Sequence, residues 1–191
     1  MKTILYAGIT ANGNYGDSDA GPMPKEEELN DLFSHAKEAG NIVMGRRTYE
    51  IFGGDDTFAG LDVVVVSKTA SFEGVKTVAS LQEMLDYLKE NRYQSAFVIG
   101  GVTLHNTLLT EGMVDELYIN IVPYISKGLF LGPTDGRYID LELVSHKQIG
   151  ASIVQIHYKL DYAMGNCLAF SCICVCLIKA NRIFPFGSRL G

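Results

Sequence analysis

A short apolar run that stops at two adjacent glycines constrains the fold of this chain more than any other feature. Residues 95–99 read Ser-Ala-Phe-Val-Ile, Gly100 and Gly101 follow, and a helical pattern starts directly behind them. A strand that is apolar on both faces is typical of the interior of a parallel sheet. Glycines let a ligand approach the main chain where a helix presents its free N–H groups. The segment therefore predicts an α/β domain, in which the glycine pair is either an anion-binding strand end or a plain tight turn.

The same alternation of strand and helix runs along most of the chain. Apolar runs predict strands at residues 2–10, 41–44, 62–67, 95–99 and 116–123. Amphipathic or capped segments predict helices at residues 24–39, 47–52, 80–91 and 102–110. Residues 141–149 and 152–159 alternate around Gly150 and Ala151, which indicates a hairpin. This order predicts a mostly parallel central sheet that finishes in an antiparallel edge hairpin.

Length and charge limit the organisation of the chain and its partners. At 191 residues the chain fits one domain. Its formal net charge of −6 argues against nucleic acid or an anionic membrane as a partner, because both attract basic surfaces. Residues 1–7 hold one lysine and only a short apolar stretch, so we expect no signal peptide and a cytoplasmic location. The histidines lack metal-ligand spacing, and no metal site is predicted.

Three predicted strands end in residues that suit a phosphate. Gly45 is followed by Arg46 and Arg47, Ser67 is followed by Lys68, and the central strand ends at the glycine pair. Ligands of α/β proteins bind at the carboxyl ends of the parallel strands, so these three ends predict one nucleotide site at one edge of the sheet. The alternative is that the two arginines are solvated or paired with the abundant acidic residues.

Three motifs in this chain match the pattern of a known family. They are IVMGRRTYE at residues 42–50, VIGG at residues 98–101 followed by Leu104, and VDELYI at residues 114–119. In this order and spacing they resemble the dihydrofolate reductase superfamily, and most closely its riboflavin-biosynthesis branch, the C-terminal reductase domain of RibD-type proteins. The resemblance covers residues 1–160 and implies the dihydrofolate reductase-like three-layer fold.

The resemblance also implies an NADPH-dependent reductase of a small heterocyclic substrate. The closest branch implies 5-amino-6-(5-phosphoribosylamino)uracil reductase activity and a homodimer, for which residues 114–125 offer an apolar interface. The implied cofactor-binding residues are Gly45, Arg46, Arg47, Thr48, Ser67 and Lys68 on the phosphate side, and Ala7, Gly100, Gly101, Val102, Thr103 and Leu104 on the pyrophosphate and nicotinamide side. The loop of residues 10–16 is implied to line the nicotinamide and the substrate.

The substrate side has three candidate catalytic residues, Glu28, Asn12 and Asn120. In folate reductases the catalytic carboxylate lies on the first helix, where this chain has Glu27 and Glu28. Acidic residues at a helix start are also typical of a surface that complements the helix dipole, and Asn120 is alternatively a plain polar strand residue. His105, one turn into the helix after Gly101, is expected to face solvent.

Absent residues separate the chain from folate enzymes. No arginine stands near Leu61, where folate reductases bind the glutamate tail, and the chain has no tryptophan. These absences favour the riboflavin-type substrate, with dihydrofolate or pterin reduction as the alternative. The riboflavin branch commonly has Asp-Gly in its first loop, where this chain has Asn12 and Gly13. A non-catalytic NADP(H)-binding module is therefore the alternative from a different functional class.

Residues 161–191 differ in composition from the rest of the chain. All four cysteines lie there, and their spacing does not match a zinc finger or ribbon. The apolar stretch at residues 167–178 is shorter than the roughly 20 residues that a membrane-spanning helix needs. We expect a tail outside the core fold.

Overall fold

Eight strands form one continuous sheet across the part of the chain that the computed structural model describes, residues 1–15, 24–52 and 55–162. The strands are β1 (Lys2–Thr10), β2 (Asn41–Gly45), β3 (Asp62–Val66), β4 (Lys76–Val78), β5 (Ser95–Gly100), β6 (Glu116–Val122), β7 (Asp140–Ile149) and β8 (Ile153–Asp161). The helices are α1 (Glu26–Ala39), α2 (Arg46–Phe52), α3 (Leu81–Glu90) and α4 (Val102–Thr110), with a 3₁₀ helix at Asp55–Phe58.

The spatial order of the strands is β4-β3-β2-β5-β1-β6-β8-β7. Neighbours from β4 to β6 run parallel, whereas β8 is antiparallel to both β6 and β7. The predicted parallel sheet with an antiparallel C-terminal edge hairpin is therefore confirmed, and every predicted strand and helix is present. The sequence patterns missed β4, because three residues with one buried side chain, Val78, are too short to show a period.

The sheet separates two apolar layers, so that helices cover both faces. Along β5, Ala96 and Val98 face the layer beneath α3 and α4, while Phe97 and Ile99 face the layer beneath α1 and α2. This alternation explains why the segment at 95–99 is apolar throughout, since both of its faces are buried. The arrangement is the three-layer fold that the resemblance implies.

The apolar interface predicted at residues 114–125 is wrong for most of its length. β6 lies between β1 and β8 and pairs with both, so it has no free edge. Val114 and Leu117 are buried in the core, and Ile125, after the end of β6, is the strongly exposed apolar residue of the segment at 83%. A strand that is buried on both faces has the same apolar pattern as a strand at an interface, and for this reason the sequence pattern predicted an interface here.

The described part of the chain includes the first two residues of the predicted tail. β8 continues to Asp161, and the Tyr162 hydroxyl accepts a hydrogen bond from the Val114 N–H at 3.3 Å. Residues 163–191, including all four cysteines, lie outside the described residues, so their separation from the core stays a prediction. Of the helices in the described part, none is long and apolar enough to cross a membrane.

Candidate active site

The three strand ends predicted to bind phosphate lie side by side. β3, β2 and β5 are parallel neighbours, with Gly45 paired to Val66 and Met44 paired to Gly100. A Cβ atom placed on Gly45 would lie 3.6 Å from the Gly101 nitrogen, so these two backbones approach closely. The peptide bond between Gly100 and Gly101 is cis. The structure thus brings the glycines of two separate motifs together at one edge of the sheet.

Two hydroxyl groups stand against the glycine pair. A Cβ on Gly100 would lie 3.1 Å from the Tyr15 hydroxyl and 3.5 Å from Thr48 Oγ1, and a Cβ on Gly101 would lie 3.2 Å from Thr48 Oγ1. Side chains at either position would displace these hydroxyls. Tyr15 belongs to the loop of residues 10–16 that was predicted to line the site, and Gly16 lies outside the described residues.

The other residues predicted on the nicotinamide side differ in what they expose. Val102 and Thr103 begin α4, and Thr103 is exposed. Leu104 packs into the core with 8% exposure, so its side chain offers little surface to a ligand. Ala7 is buried within β1, where it pairs with Ile119 of β6.

We call the ends of β2, β3 and β5, with residues 45–48, 67–68 and 100–101, the rim. The cationic side chains of the rim lie on the surface. Arg46 and Arg47 open α2 and are exposed, as is Lys68 after β3. Arg46 Nη1 donates to Glu50 Oε1 at 3.0 Å, in an ion pair whose side chains are 47% and 44% exposed. An exposed pair of this kind contributes about 0.5 kcal/mol or less, so a phosphate can compete for Arg46. The suspected pairing of an arginine with an acid is real, and it is weak.

Ser67 has a local structural role, and its predicted contact with a phosphate stays a prediction. Its Oγ accepts the N–H groups of Thr69 and Ala70, at 3.3 and 3.0 Å. These contacts shape the turn that presents Lys68 at the end of β3. A serine hydroxyl that caps a turn in this way is a common local motif.

Glu28 and Asn120 form a buried polar pair beside the rim. Glu28 is the third residue of α1, and Asn120 lies on β6 opposite Gly8 of β1. Asn120 Nδ2 donates to Glu28 Oε1 at 3.2 Å. Asn120 is 0% exposed and Glu28 is 7% exposed. A Cβ on Gly8 would lie 3.2 Å from that carboxylate oxygen, so a glycine at this position makes room for it. The interpretation of Glu28 as acidic surface is wrong, because the side chain turns inward.

Burial changes the proton affinity of Glu28. Loss of solvent raises its pKa above the ordinary value, the hydrogen bond from Asn120 opposes that rise, and the nearby charges of Asp31 and Glu27 add to it. A carboxyl with a raised pKa holds its proton closer to neutral pH, so it is suited to donate or share a proton with a ligand.

Asn12 lies apart from this pair. Its Oδ1 accepts from the Thr10 hydroxyl at 2.7 Å, and its Nδ2 donates to the Ser126 carbonyl at 2.9 Å. Asn14 Nδ2 donates to the same carbonyl at 2.6 Å. Both asparagines thus tie the start of the first loop to the segment after β6. A catalytic role of Asn12 stays a prediction, and its contacts are those of a loop connection.

The expectation that His105 faces solvent is wrong. The side chain is fully buried in α4, its Nε2 lies 3.2 Å from the Val98 carbonyl, and its ring meets the Tyr15 ring edge-on at 5.7 Å. Burial lowers the pKa of His105 to about 4, against a smaller opposing effect of the Val98 hydrogen bond. The spacing to Leu109, four residues later and also buried, was the signal that His105 lies on the inner face of the helix.

Sequence patterns missed three polar residues next to Glu28 and Asn120. Tyr6, Asp31 and Gln155 bond to one another or to the pair at distances of 2.6 to 3.0 Å. Gln155 follows buried Ile153 by two positions, so a polar residue on the inner face of a strand was the available signal. Across residues 1–15, 24–52 and 55–162, no group of three or more His, Cys, Asp or Glu side chains is arranged to hold a metal ion.

A family model described as dihydrofolate reductase matches residues 5–137. The chain belongs to the dihydrofolate reductase family. Its coarse function follows from that membership and is that of a reductase of the dihydrofolate reductase type.

Solved structures of low sequence identity share the fold. A putative riboflavin biosynthesis protein from a Shewanella species is 20% identical, with a TM-score of 0.67 over 84% of this chain and 99% of that one. A pyrimidine reductase-like protein from Corynebacterium diphtheriae is 18% identical, with a TM-score of 0.65 over 84% and 92%. RibD from Acinetobacter baumannii is 14% identical, with a TM-score of 0.69 over 84% of this chain and 58% of that one.

Proposed function

We propose that this chain is an NADPH-dependent reductase of a small heterocyclic substrate, of the 5-amino-6-(5-phosphoribosylamino)uracil reductase type. One observation carries the proposal. The rim at the ends of β3, β2 and β5 and the Glu28–Asn120 pair at β1 and β6 lie along the same edge of the sheet. From β3 to β6 there are four strand spacings of about 4.8 Å, roughly 19 Å in all. That width suits an extended dinucleotide with a single ring system next to it.

The residues of the rim fit such a cofactor. Gly45, Gly100 and Gly101 present backbone with no side chain in the way, and Thr48 adds a hydroxyl donor. Arg46, Arg47 and Lys68 place cationic groups at the ends of β2 and β3, the strands of the rim that lie farthest from the Glu28–Asn120 pair. Guanidinium groups bind phosphate through paired N–H donors, which favours a cofactor with a 2′-phosphate at that end. When bound, NADPH supplies the hydride.

The pair at β1 and β6 suits the ring of the substrate. A buried carboxylate can accept from ring N–H and amino groups and a protonated carboxyl can donate to them, and burial, which raises the pKa of Glu28, favours the protonated form more than in an exposed glutamate. Asn120 holds Glu28 in place through its amide. The names of the structural neighbours, a riboflavin biosynthesis protein, a pyrimidine reductase-like protein and RibD, support an aminopyrimidine as the ring.

Dihydrofolate or pterin reduction is the second candidate. The position of a buried carboxylate on the first helix favours it, since folate reductases carry their catalytic carboxylate there. The third possibility is a non-catalytic NADP(H)-binding module, which would keep the rim and show no turnover. Substrate trials separate all three.

Binding titrations test the cofactor. We expect NADPH to bind. The double variant Arg46→Ala with Lys68→Ala should raise the dissociation constant of NADPH by at least about tenfold and that of NADH by less, because charge-assisted hydrogen bonds to the 2′-phosphate are lost. Lys37→Ala with Lys89→Ala removes the same charge from exposed helical positions and serves as the control. Absence of NADPH binding, or an equal loss in both double variants, would overturn the cofactor assignment.

Turnover tests the substrate. NADPH oxidation is followed by its absorbance with 5-amino-6-(5-phosphoribosylamino)uracil, dihydrofolate and a pterin in turn. Oxidation with the aminopyrimidine, reduced on the order of a hundredfold in Glu28→Gln, is the expected result. Oxidation with dihydrofolate alone would move the assignment to folate reduction, and tight binding without turnover would leave a binding module.

We also propose a homodimer, formed through the hairpin instead of through β6. β7 is the last strand of the sheet, and Leu141, Leu143 and Val144 on it are 45% to 56% exposed. Within the described part of the chain β7 pairs only with β8, and an outer strand that presents backbone N–H and C=O groups and apolar side chains is a ready surface for a second copy.

A further inference from the structure

One row of residues crosses four strands and passes Glu28. The strand register pairs Gly8 with Asn120, Asn120 with Gln155, and Gln155 with Lys147. Directly paired residues on neighbouring strands project from the same face of a sheet. The row therefore runs from the Glu28 carboxylate to the edge hairpin, and its two amide residues, Asn120 and Gln155, are 0% and 3% exposed. Buried amides of this kind need defined partners.

Asp31 anchors the row from one helical turn behind Glu28 on α1. Its Oδ1 accepts from Lys147 Nζ at 2.5 Å, and its Oδ2 accepts from Gln155 Nε2 at 2.6 Å and from the Tyr6 hydroxyl at 3.0 Å. Burial alone would raise the pKa of Asp31, but the hydrogen bonds from Lys147 and Gln155 outweigh it and leave the pKa below its ordinary value. Asp31 is therefore ionised at neutral pH and can only accept hydrogen bonds.

The acceptor at Asp31 fixes the direction of every bond that follows. The Tyr6 hydroxyl has one proton and two acceptors within reach, Asp31 Oδ2 at 3.0 Å and the Glu28 carbonyl at 3.3 Å. The ionised carboxylate is the closer and stronger acceptor, so the Tyr6 oxygen is left to accept from Asn120 Nδ2 at 2.7 Å. Gln155 turns its nitrogen to Asp31, and the same nitrogen donates to Asn120 Oδ1 at 2.9 Å. Both ends of the Asn120 amide are thereby assigned. The second N–H of Asn120 is left for Glu28 Oε1, at 3.2 Å.

We infer that Asp31 is a positioning residue of the proposed reductase site. Through Tyr6 and Gln155 it holds the one orientation of the Asn120 amide that donates to Glu28. The inference rests on the proposed function, because positioning matters only if Glu28 meets a substrate. Amide side chains do not take up or release protons near neutral pH, so the row orients the carboxyl and does not conduct protons. Lys147 compensates the charge of Asp31 from the edge hairpin.

A double-mutant cycle on turnover tests the inference. Asp31→Asn should lower kcat on the order of tenfold with a much smaller change in KM, because Asn120 loses its fixed orientation. In the Asn120→Ala background the same substitution should cause no further loss. Additive losses in the double variant would overturn the inference. Tyr6→Phe removes the link between Asp31 and Asn120 and should show the same dependence, which covers the case in which Asp31→Asn does not fold by circular dichroism.

Glu116→Gln is the matched control. Glu116 is also a nearly buried carboxylate on β6, bonded to Lys2 at 2.7 Å and near His157 at 3.1 Å, four residues before Asn120. Glu116→Gln should leave kcat unchanged both in the unmodified protein and in the Asn120→Ala background. A loss equal to that of Asp31→Asn would show that any buried carboxylate of the sheet has this effect, and would overturn the positioning role.

Carbon-13 NMR of the Glu28 carboxyl, assigned by Glu28→Gln, tests positioning without turnover. Without Asn120, Asp31→Asn removes only a negative charge and should lower the titration midpoint of Glu28. With Asn120 present, it also misdirects the amide N–H, which raises the midpoint. The backbone of Lys25 and the charge of Glu27, both on or next to α1, also act on the pKa of Glu28, and they are common to all four proteins.

The expected result is that Asp31→Asn changes the titration midpoint of Glu28 to a more positive extent when Asn120 is present than when it is replaced by alanine. Equal changes in the two backgrounds would overturn the inference and leave the reductase function standing. Unequal changes in a protein that turns over no substrate would instead overturn the proposed function and leave the positioning role of Asp31.

Discussion

At Gly100 both the backbone conformation and the neighbouring atoms exclude a side chain. Its φ of +142° lies in a region that side chains rarely adopt, and a Cβ there would lie 3.1 Å from the Tyr15 hydroxyl. We therefore expect Gly100→Ala to lower the free energy of unfolding by about 1–3 kcal/mol, measured by urea denaturation, and to weaken cofactor binding.

Gly132→Ala is the control for this substitution. No atom lies within 4 Å of a Cβ at Gly132, and its φ is outside the glycine-favouring region. The control should change the free energy of unfolding by less than about 0.5 kcal/mol. Similar losses at the two positions would contradict the account of Gly100.

His105 should make stability depend on pH. Its pKa is about 4 in the folded protein and near 6.5 when exposed, so the unfolded chain takes up a proton first as the pH falls. The stabilisation is complete above about pH 6.5 and is lost progressively down to about pH 4, by roughly 3 kcal/mol if the full difference is realised. The unfolding free energies of the protein and of His105→Gln, measured by urea from pH 7.5 to 4.5, should therefore converge on acidification.

The exposed His146 provides the comparison for His105. His146→Gln should give an unfolding free energy that follows the unmodified protein at every pH. If the curve of His105→Gln also stays parallel to that of the unmodified protein, the buried histidine does not have the lowered proton affinity argued above.

At the scale of elements, α3 depends on a local cap. Ser80 Oγ accepts the Glu83 N–H at 3.2 Å, and the Glu83 carboxylate accepts the Ala79 N–H at 2.9 Å. Ser80→Ala should lower the free energy of unfolding by about 1 kcal/mol, because an N–H of the first turn loses its acceptor. Urea denaturation measures the change. Glu90→Ala, at an exposed position of the same helix, should have an effect below about 0.5 kcal/mol, and a larger one would assign the loss to helix propensity.

Most elements were predictable because their signals are local. The serine cap of α3 and the glycine stop of α1, Gly40 with φ of +73°, lie within a few residues of the ends they determine. The two-sided apolar pattern of β5 likewise depends only on its own residues. β4 was not predicted because its three residues carry no strand pattern of their own, and its extended conformation depends on the pairing with β3.

The polar network around Glu28 was not predictable in the same way. It depends on register, since Gln155 meets both Asn120 and Lys147 only in the observed pairing of β8 with β6 and β7. A register shift between Leu143 and Ser145 separates the two halves of β7, and no sequence pattern marks it. Glu28 was found from the family resemblance and Asn120 as a polar residue on an alternating strand, whereas the partners that orient them lie up to 124 positions apart in the chain.

At the scale of the whole molecule, the sheet has different ends. The short β4 forms one border beyond the rim, while the ten-residue β7 forms the other with an almost fully exposed face. A long outer strand that exposes several apolar side chains, as β7 does at Leu141, Leu143 and Val144, is an aggregation hazard unless another chain covers it. Lys147, which pairs with Asp31, lies on this same strand. The hairpin thus connects the surface available to a second copy with the residues that orient Glu28.

The proposed dimer gives a test at this scale. Leu141→Lys with Leu143→Lys should convert a dimer to a monomer, because two charges on the outer strand repel and resist burial. Sedimentation velocity should give about twice the chain mass of 20.9 kDa for the unmodified protein and 20.9 kDa for the double variant. Ile125→Lys, which replaces the 83% exposed apolar residue after β6, should remain dimeric. Dissociation by Ile125→Lys alone would return the interface to residues 114–125, and a monomeric unmodified protein would refute the dimer.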